Sequence, residues 1–293
     1  MSDLVQKISQ QIATVTGGDF VCTNQQSLSG GCINSAFKLE GKDTSYFVKY
    51  NSAHMLDMFI AEAAGLEAMA ETNTIRVPKP VCHGVADNQS YLAMEYIPFG
   101  GGNSSQQLGE QLAEMHRHSF DQFGFYIDNT IGSTHQDNTP HDDWVSFWQQ
   151  RRLGYQLELA KKNGCGRGLL NDGNKLMELI PQFFSDYKPR PSLLHGDLWS
   201  GNYSYASNGQ PVIFDPATYY GDREADIAMT ELFGGFGRGF YDAYNSAWQL
   251  DDGYSVRKTL YNLYHIINHY NLFGGGYLGQ AESMTSRLLS EVN

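Results

Sequence analysis

Residues 193–202 read LLHGDLWSGN, and thirteen residues beyond Asn202 the apolar run PVIF ends at Asp215. A carboxylate, an amide five residues later and a second carboxylate at a strand end form the set that handles a hydroxyl and a divalent cation. Phosphoryl transfer needs an acceptor for the attacking hydroxyl's proton. It also needs oxygen ligands for the Mg²⁺ that neutralises phosphate charge. Asp197 suits the first task, and Asn202 with Asp215 the second. Any single Asp before Gly or Pro is as readily a turn cap. The joint pattern is more demanding, because it requires a phosphate-positioning Lys and a glycine-bearing turn in a strand-rich region upstream.

Both are present. YFVKY places Lys49 on an expected strand, after the turn SLSGGCINSAF with Gly30, Gly31 and Cys32. Glu62, thirteen residues on, stands in the Ala- and Leu-rich stretch MLDMFIAEAAGLEAMAET, an expected helix, where it can pair with Lys49. The turn is not G-x-G-x-x-G, so by itself it reads more readily as a plain hairpin. The order of the four signals carries the argument.

That order also divides the chain. DLVQKISQQIATV has helical spacing with Ser2 or Asp3 as cap and Gly17–Gly18 as stop. Strand-like runs follow over residues 20–50, and SYLAMEYI reads as a further buried strand. PFGGGNSS, Pro98–Ser105, is a run of breakers. Beyond it the chain is mostly helical: SSQQLGEQLAEMHRHS, DDWVSFWQQRRLGYQLELAKKN as one long helix, NDGNKLMELIPQFFSDY and SVRKTLYNLYHIINHYNLF. Short strands are expected at PSLLHGD and QPVIFDP. The fold class is α+β with two lobes: an antiparallel-sheet lobe with one main helix over 1–97, and a larger helical lobe over 98–293.

The net charge of −12 argues against phosphate-backbone binding, so no nucleic-acid partner is expected, nor an anionic membrane surface. No run of eighteen apolar residues suggests a membrane span. Four scattered cysteines without a C-x-x-C pair argue against a zinc cluster or a disulfide scaffold. With no signal-peptide pattern, a cytoplasmic location is expected.

The chain resembles the protein-kinase-like small-molecule kinases, and among them the fructosamine (ketosamine) 3-kinase family. The resemblance runs through GGCINSAF, YFVKYN, FIAEAAGL, RVPKP, LGEQLAEMH, FGFYIDNTIGSTHQDN, HGDLWSGN, DPATYYGDREADIA, LFGGF and NHYNLFGGGY. HGDLWSGN and DPATYYGDRE are the specific strings. The resemblance implies Asp197 as catalytic base and Asn202 and Asp215 as Mg²⁺ ligands. Lys49 would contact the ATP phosphates, Glu62 would hold Lys49, and Gly30, Gly31 and Cys32 would form the phosphate loop. Backbone groups at Glu95, Tyr96 and Ile97 would meet the adenine edge, with Ile33, Val48 and Met94 as candidates to sandwich it. Oxidation of Cys32 would slow ATP use.

The implied substrate is a ketosamine, free or protein-bound, phosphorylated on its 3-hydroxyl by ATP in repair of glycated amines. Trp199 is a natural sugar platform. His265, His269, Phe273 and Tyr277 are candidates for the acceptor side. Of Asp222, Glu224 and Asp226, one would brace the catalytic loop and another would meet the amine. Another kinase of the same fold, acting on an aminoglycoside, choline or a similar amino alcohol, is the alternative. A non-catalytic nucleotide-binding protein is disfavoured by the intact Lys, base and metal Asp. Either a monomer or a homodimer is compatible with the sequence.

Overall fold

The alternation of side chains along three consecutive strands builds the first part of the molecule. In the computed structural model, which describes residues 2–18, 20–28, 33–102 and 104–292, the chain divides into two compact units. One comprises Met1–Ser104 with Tyr203–Pro216, the other Ser105–Asn202 with Ala217–Asn293. Gly30, Gly31 and Cys32 lie outside the described residues.

In the first unit, α1 (Asp3–Thr16) starts at Ser2, whose hydroxyl accepts the Val5 N–H, and stops at Gly17 in the left-handed region. Strands β1 (Asn24–Leu28), β2 (Ser35–Glu40), β3 (Ser45–Ser52), β4 (Pro80–Ala86) and β5 (Gln89–Glu95) form one antiparallel sheet in the order β1-β2-β3-β5-β4. Pro80, which cannot donate to a ladder, sits in the edge strand β4 beside a register shift. Asp87 and Asn88, both at positive φ, make the tight β4–β5 turn. Helix α2 (Leu56–Glu71) packs on β4 and β5.

Period 2 then sorts the sheet's side chains. Phe37, Leu39, Val48 and Ala93 join Leu4, Val5, Ile8 and Ile12 of α1 in one core. Lys49 points to the opposite face, with Phe47 and its cross-strand neighbour Met94. Val48 therefore cannot share an adenine site with Lys49, contrary to expectation, whereas Met94 is on the right face.

The second unit contains α3 (Ser105–Arg117), the hairpin β6 (Asn129–Ile131) and β7 (Thr134–Gln136), α4 (Trp144–Phe147), α5 (Gly154–Lys162), α6 (Arg167–Leu179), β8 (Ser192–Leu194), α7 (Arg223–Leu232), α8 (Arg238–Ala247), α9 (Tyr254–Phe273) and α10 (Tyr277–Glu291). The helix expected across residues 142–163 is present as one continuous run from Trp144 to Lys162, but its middle is not α-helical. Trp148–Leu153 between α4 and α5 winds as a π-helix. That winding carries Arg152 to full burial between the rings of Phe147 and Tyr219, 4.6 and 4.1 Å from their centroids.

Candidate active site

Each unit holds its own set of candidate residues. In the first, Lys49 Nζ lies 2.6 Å from Glu62 Oε1 and 2.5 Å from Asp215 Oδ1. Lys49 and Glu62 are both buried. Burial disfavours the ammonium, but the facing carboxylates of Asp215 and Glu62 outweigh that, and its pKa stands above the ordinary lysine value. Lys49 is thus a fixed cation.

Asp215 has φ 59, a left-handed conformation uncommon for a residue with a side chain and tolerated best by Asn and Asp. It follows Pro211–Ile213, which pairs antiparallel with Tyr203–Tyr205. Val212 and Phe214 pack with Ile97 and Ala206, so the end of the segment Glu95–Ile97 and the approach to Asp215 share one small core. Glu95 is held by Arg76 at 2.5 Å, and the Lys38 ammonium lies 4.3 Å from the Tyr96 ring centroid. Asn51 donates to Ile33 O and Asn34 Oδ1, fixing the start of β2.

In the second unit, β8 delivers the loop that carries Asp197. Asp226 holds this loop: its two oxygens accept the N–H groups of His195 (2.7 Å) and Gly196 (2.8 Å), and His116 Nε2 donates to it at 3.1 Å. All of these groups are buried. Burial would raise the Asp226 pKa, but the His116 ring and the loop's own groups outweigh it and keep it below the usual carboxylate range. Gly196 is at φ 83, and a Cβ there would lie 2.1 Å from Ala217 O, so only glycine allows this approach.

Asn202 Nδ2 donates to the Asp197 carbonyl (2.8 Å) and to Asp197 Oδ2 (3.3 Å), which turns its amide oxygen away from Asp197. The indole of Trp199 lies over Gly201, where a Cβ would stand 2.3 Å from Cη2. From Trp199 an aromatic surface continues edge-on to Phe233, then to His269 at 4.9 Å between centroids, and on to Phe273 and Tyr277. His269 Nδ1 donates to His265 O, and burial lowers its pKa.

Three expectations change. Asp222 is fully buried as the cap of α7 and accepts from Tyr187, Tyr261 and the Glu224 N–H. Glu224 is equally buried, gripped by Arg257 through two bonds of 2.8 and 3.1 Å. Neither presents a carboxylate to an incoming amine. His265 is buried too, with burial and the neighbouring His269 pushing its pKa down to about 3. It is therefore not a surface residue that could line an acceptor site. Asp226 is the bracing carboxylate. Nothing in the spacing of residues 222–226 singles it out, but its partner His116 was visible as the last polar residue of LGEQLAEMH.

Among the described residues no group of three or more His, Cys, Asp or Glu is placed to hold a metal by itself, and no helix is long and apolar enough to cross a membrane.

Comparison with known proteins places the chain in a family. The profile of the family described as fructosamine kinase matches residues 4–291. A “Probable ketoamine kinase” of Synechocystis is 50% identical over 287 residues, covering 97% of this chain and 96% of that one. The chloroplastic protein-ribulosamine 3-kinase of Arabidopsis thaliana is 48% identical over 262 residues, covering 88% and 80%. The crystal structure of a candidate fructosamine-3-kinase from Haemophilus somnus superposes with a TM-score of 0.89 at 29% identity, covering 98% of each chain.

Proposed function

The chain belongs to the fructosamine kinase family, and from that premise we propose that it transfers the γ-phosphoryl group of ATP to the 3-hydroxyl of a ketosamine. The 3-phosphate of such an adduct is unstable and sheds the sugar, so the reaction serves to free glycated amines. The observation that carries the reading is the fixed ammonium of Lys49 between Glu62 and Asp215, joined in one chain to a base, Asp197, whose loop is tied down by buried hydrogen bonds.

Lys49 supplies positive charge to the nucleotide's phosphates, and Glu62 keeps it extended from β3. Asp197 accepts the proton of the sugar hydroxyl and aims its oxygen at phosphorus. Asn202 holds Asp197 in place through its Nδ2. The Asp215 carboxylate and the Asn202 amide oxygen are hard donors of the kind Mg²⁺ takes in ones and twos alongside substrate phosphates, so these two residues would hold it. Once bound, Mg²⁺ neutralises charge on the transferring phosphate. Trp199, Phe233 and His269 offer an apolar face to the sugar.

Asp197→Ala tests the reading. It should bind ATP–Mg²⁺ with nearly unchanged affinity by calorimetry. Phosphorylation of ribulosyl- or fructosyl-lysine should fall by about 10³-fold. Turnover at the wild-type rate would remove Asp197 from its role, and turnover of choline or an aminoglycoside in preference to ketosamines would overturn the substrate assignment.

A further inference from the structure

The string FGFYIDNTIGSTHQDN, Phe123–Asn138, has no part in the chemistry above. Its β6–β7 hairpin nevertheless reaches the backbone against which the catalytic loop rests. Gln136 Nε2 donates to Ala217 O at 3.2 Å and to Asn129 Oδ1 at 2.7 Å. Asn129 Nδ2 donates to Thr218 O at 2.8 Å, and the Tyr264 hydroxyl donates to Gln136 Oε1 at 2.7 Å. Gln136, Asn129 and Tyr264 are all buried. Two backbone carbonyls can only accept, so both amides are locked in one orientation. Next along the chain, Tyr219 stacks on Arg152, which donates to Asp137 O and Asn138 Oδ1 of the same string. Three consecutive residues, 217, 218 and 219, are thereby propped from one source.

The other side of this propped segment is the catalytic loop. The Ala217 N–H donates to His195 O at 2.8 Å, and the Ala217 carbonyl abuts Gly196 so closely that no side chain fits. Ala217 also stands two residues after Asp215 in the chain. We propose that Gln136 is a positioning residue for phosphoryl transfer. Its amide, aimed by Asn129 and Tyr264, sets the Ala217 peptide and through it the loop that presents Asp197. The proposal rests on Asp197 as the base. It assigns the hairpin to precision at the reacting centre, where a displacement of about 1 Å costs about 10²-fold in rate.

The test compares variants of the full chain at saturating ATP, Mg²⁺ and ribulosyl-lysine. Gln136→Leu keeps the bulk and removes both donors. Tyr264→Phe deletes one hydroxyl, leaves the aromatic packing and guards against a Gln136 variant that fails to fold. Ile131→Val trims the same hairpin without touching the clamp. The expected result is a kcat at least tenfold lower for Gln136→Leu and severalfold lower for Tyr264→Phe, with KM for both substrates within twofold of wild type. Ile131→Val should lower Tm and leave kcat alone. A kcat within twofold of wild type in Tyr264→Phe or Gln136→Leu, or a kcat loss in Ile131→Val matching theirs, would overturn the proposal. Loss of activity in Asp197→Ala alongside unimpaired clamp variants would sink the clamp and leave the base assignment standing.

Discussion

Replacing Asp226 by Asn changes one atom in the buried joint that holds the loop leading to Asp197. In the native joint two backbone N–H groups donate to separate carboxylate oxygens, at 2.7 and 2.8 Å. An amide offers one oxygen and one NH₂, so one backbone donor must face another donor. A buried donor left unpaired costs about 1–3 kcal/mol, and the surviving bond falls from charge-assisted to neutral strength, losing about another 1 kcal/mol. The expected destabilisation is about 3 kcal/mol, or roughly 5 °C in Tm for a chain of this length. Because Gly196 adjoins Asp197, kcat should drop by about 10²-fold even well below the melting range. Urea denaturation and a coupled phosphorylation assay at 20 °C read the two effects separately. An Asp226→Asn protein with wild-type urea midpoint and wild-type kcat would refute the reasoning. The carboxyl is also held below its unfolded pKa. Its contribution is therefore complete above the ordinary Asp range and is lost as pH falls through the depressed folded value.

Gly196→Ala forces a Cβ against the Ala217 carbonyl at positive φ; a loss of about 2–4 kcal/mol in denaturant titration is expected, and an unchanged midpoint would contradict the close approach. His265, held neutral down to about pH 3, should show no titration of its ring proton by NMR between pH 8 and 4. With its folded pKa below the unfolded value, it costs stability as pH falls below about 6.5, at up to about 1.4 kcal/mol per unit. Gly201→Ala should push the Trp199 indole aside, raising KM for the ketosamine severalfold while KM for ATP stays put. Equal changes in both constants would remove Trp199 from the sugar side.

Much of the site was readable along the chain, for physical reasons that differ by residue. Lys49 and Glu62 were found because strand, helix and catalytic strings follow a fixed order, and the structure pairs them at 2.6 Å. Val48 was misjudged although period 2 already placed it on the face opposite Lys49. Asp222, Glu224 and Asp226 could not be separated, because which acid meets the loop depends on how α7 is turned, and that is set by His116 from α3, over a hundred residues away. The Gln136–Asn129 clamp was invisible for a similar reason. Two amides in a short hairpin give no signal of which carbonyls they will find. The strands Tyr203–Tyr205 and Pro211–Ile213 span three residues each, too short for alternation to mark where they pair.

The return of Tyr203–Pro216 to the first unit bears on how this enzyme can be cut and rebuilt. A fragment ending at Ser104 would strip Ile97 of Val212 and Ala206 and deprive Phe99 of the Phe214 ring stacked on it. It would also leave Lys49 facing Glu62 alone. Neither unit is a contiguous cassette. A chimera that exchanges acceptor specificity with a related kinase must graft on both sides of residues 203–216 and keep that excursion with the host, or it will transplant half of a hydrophobic seam.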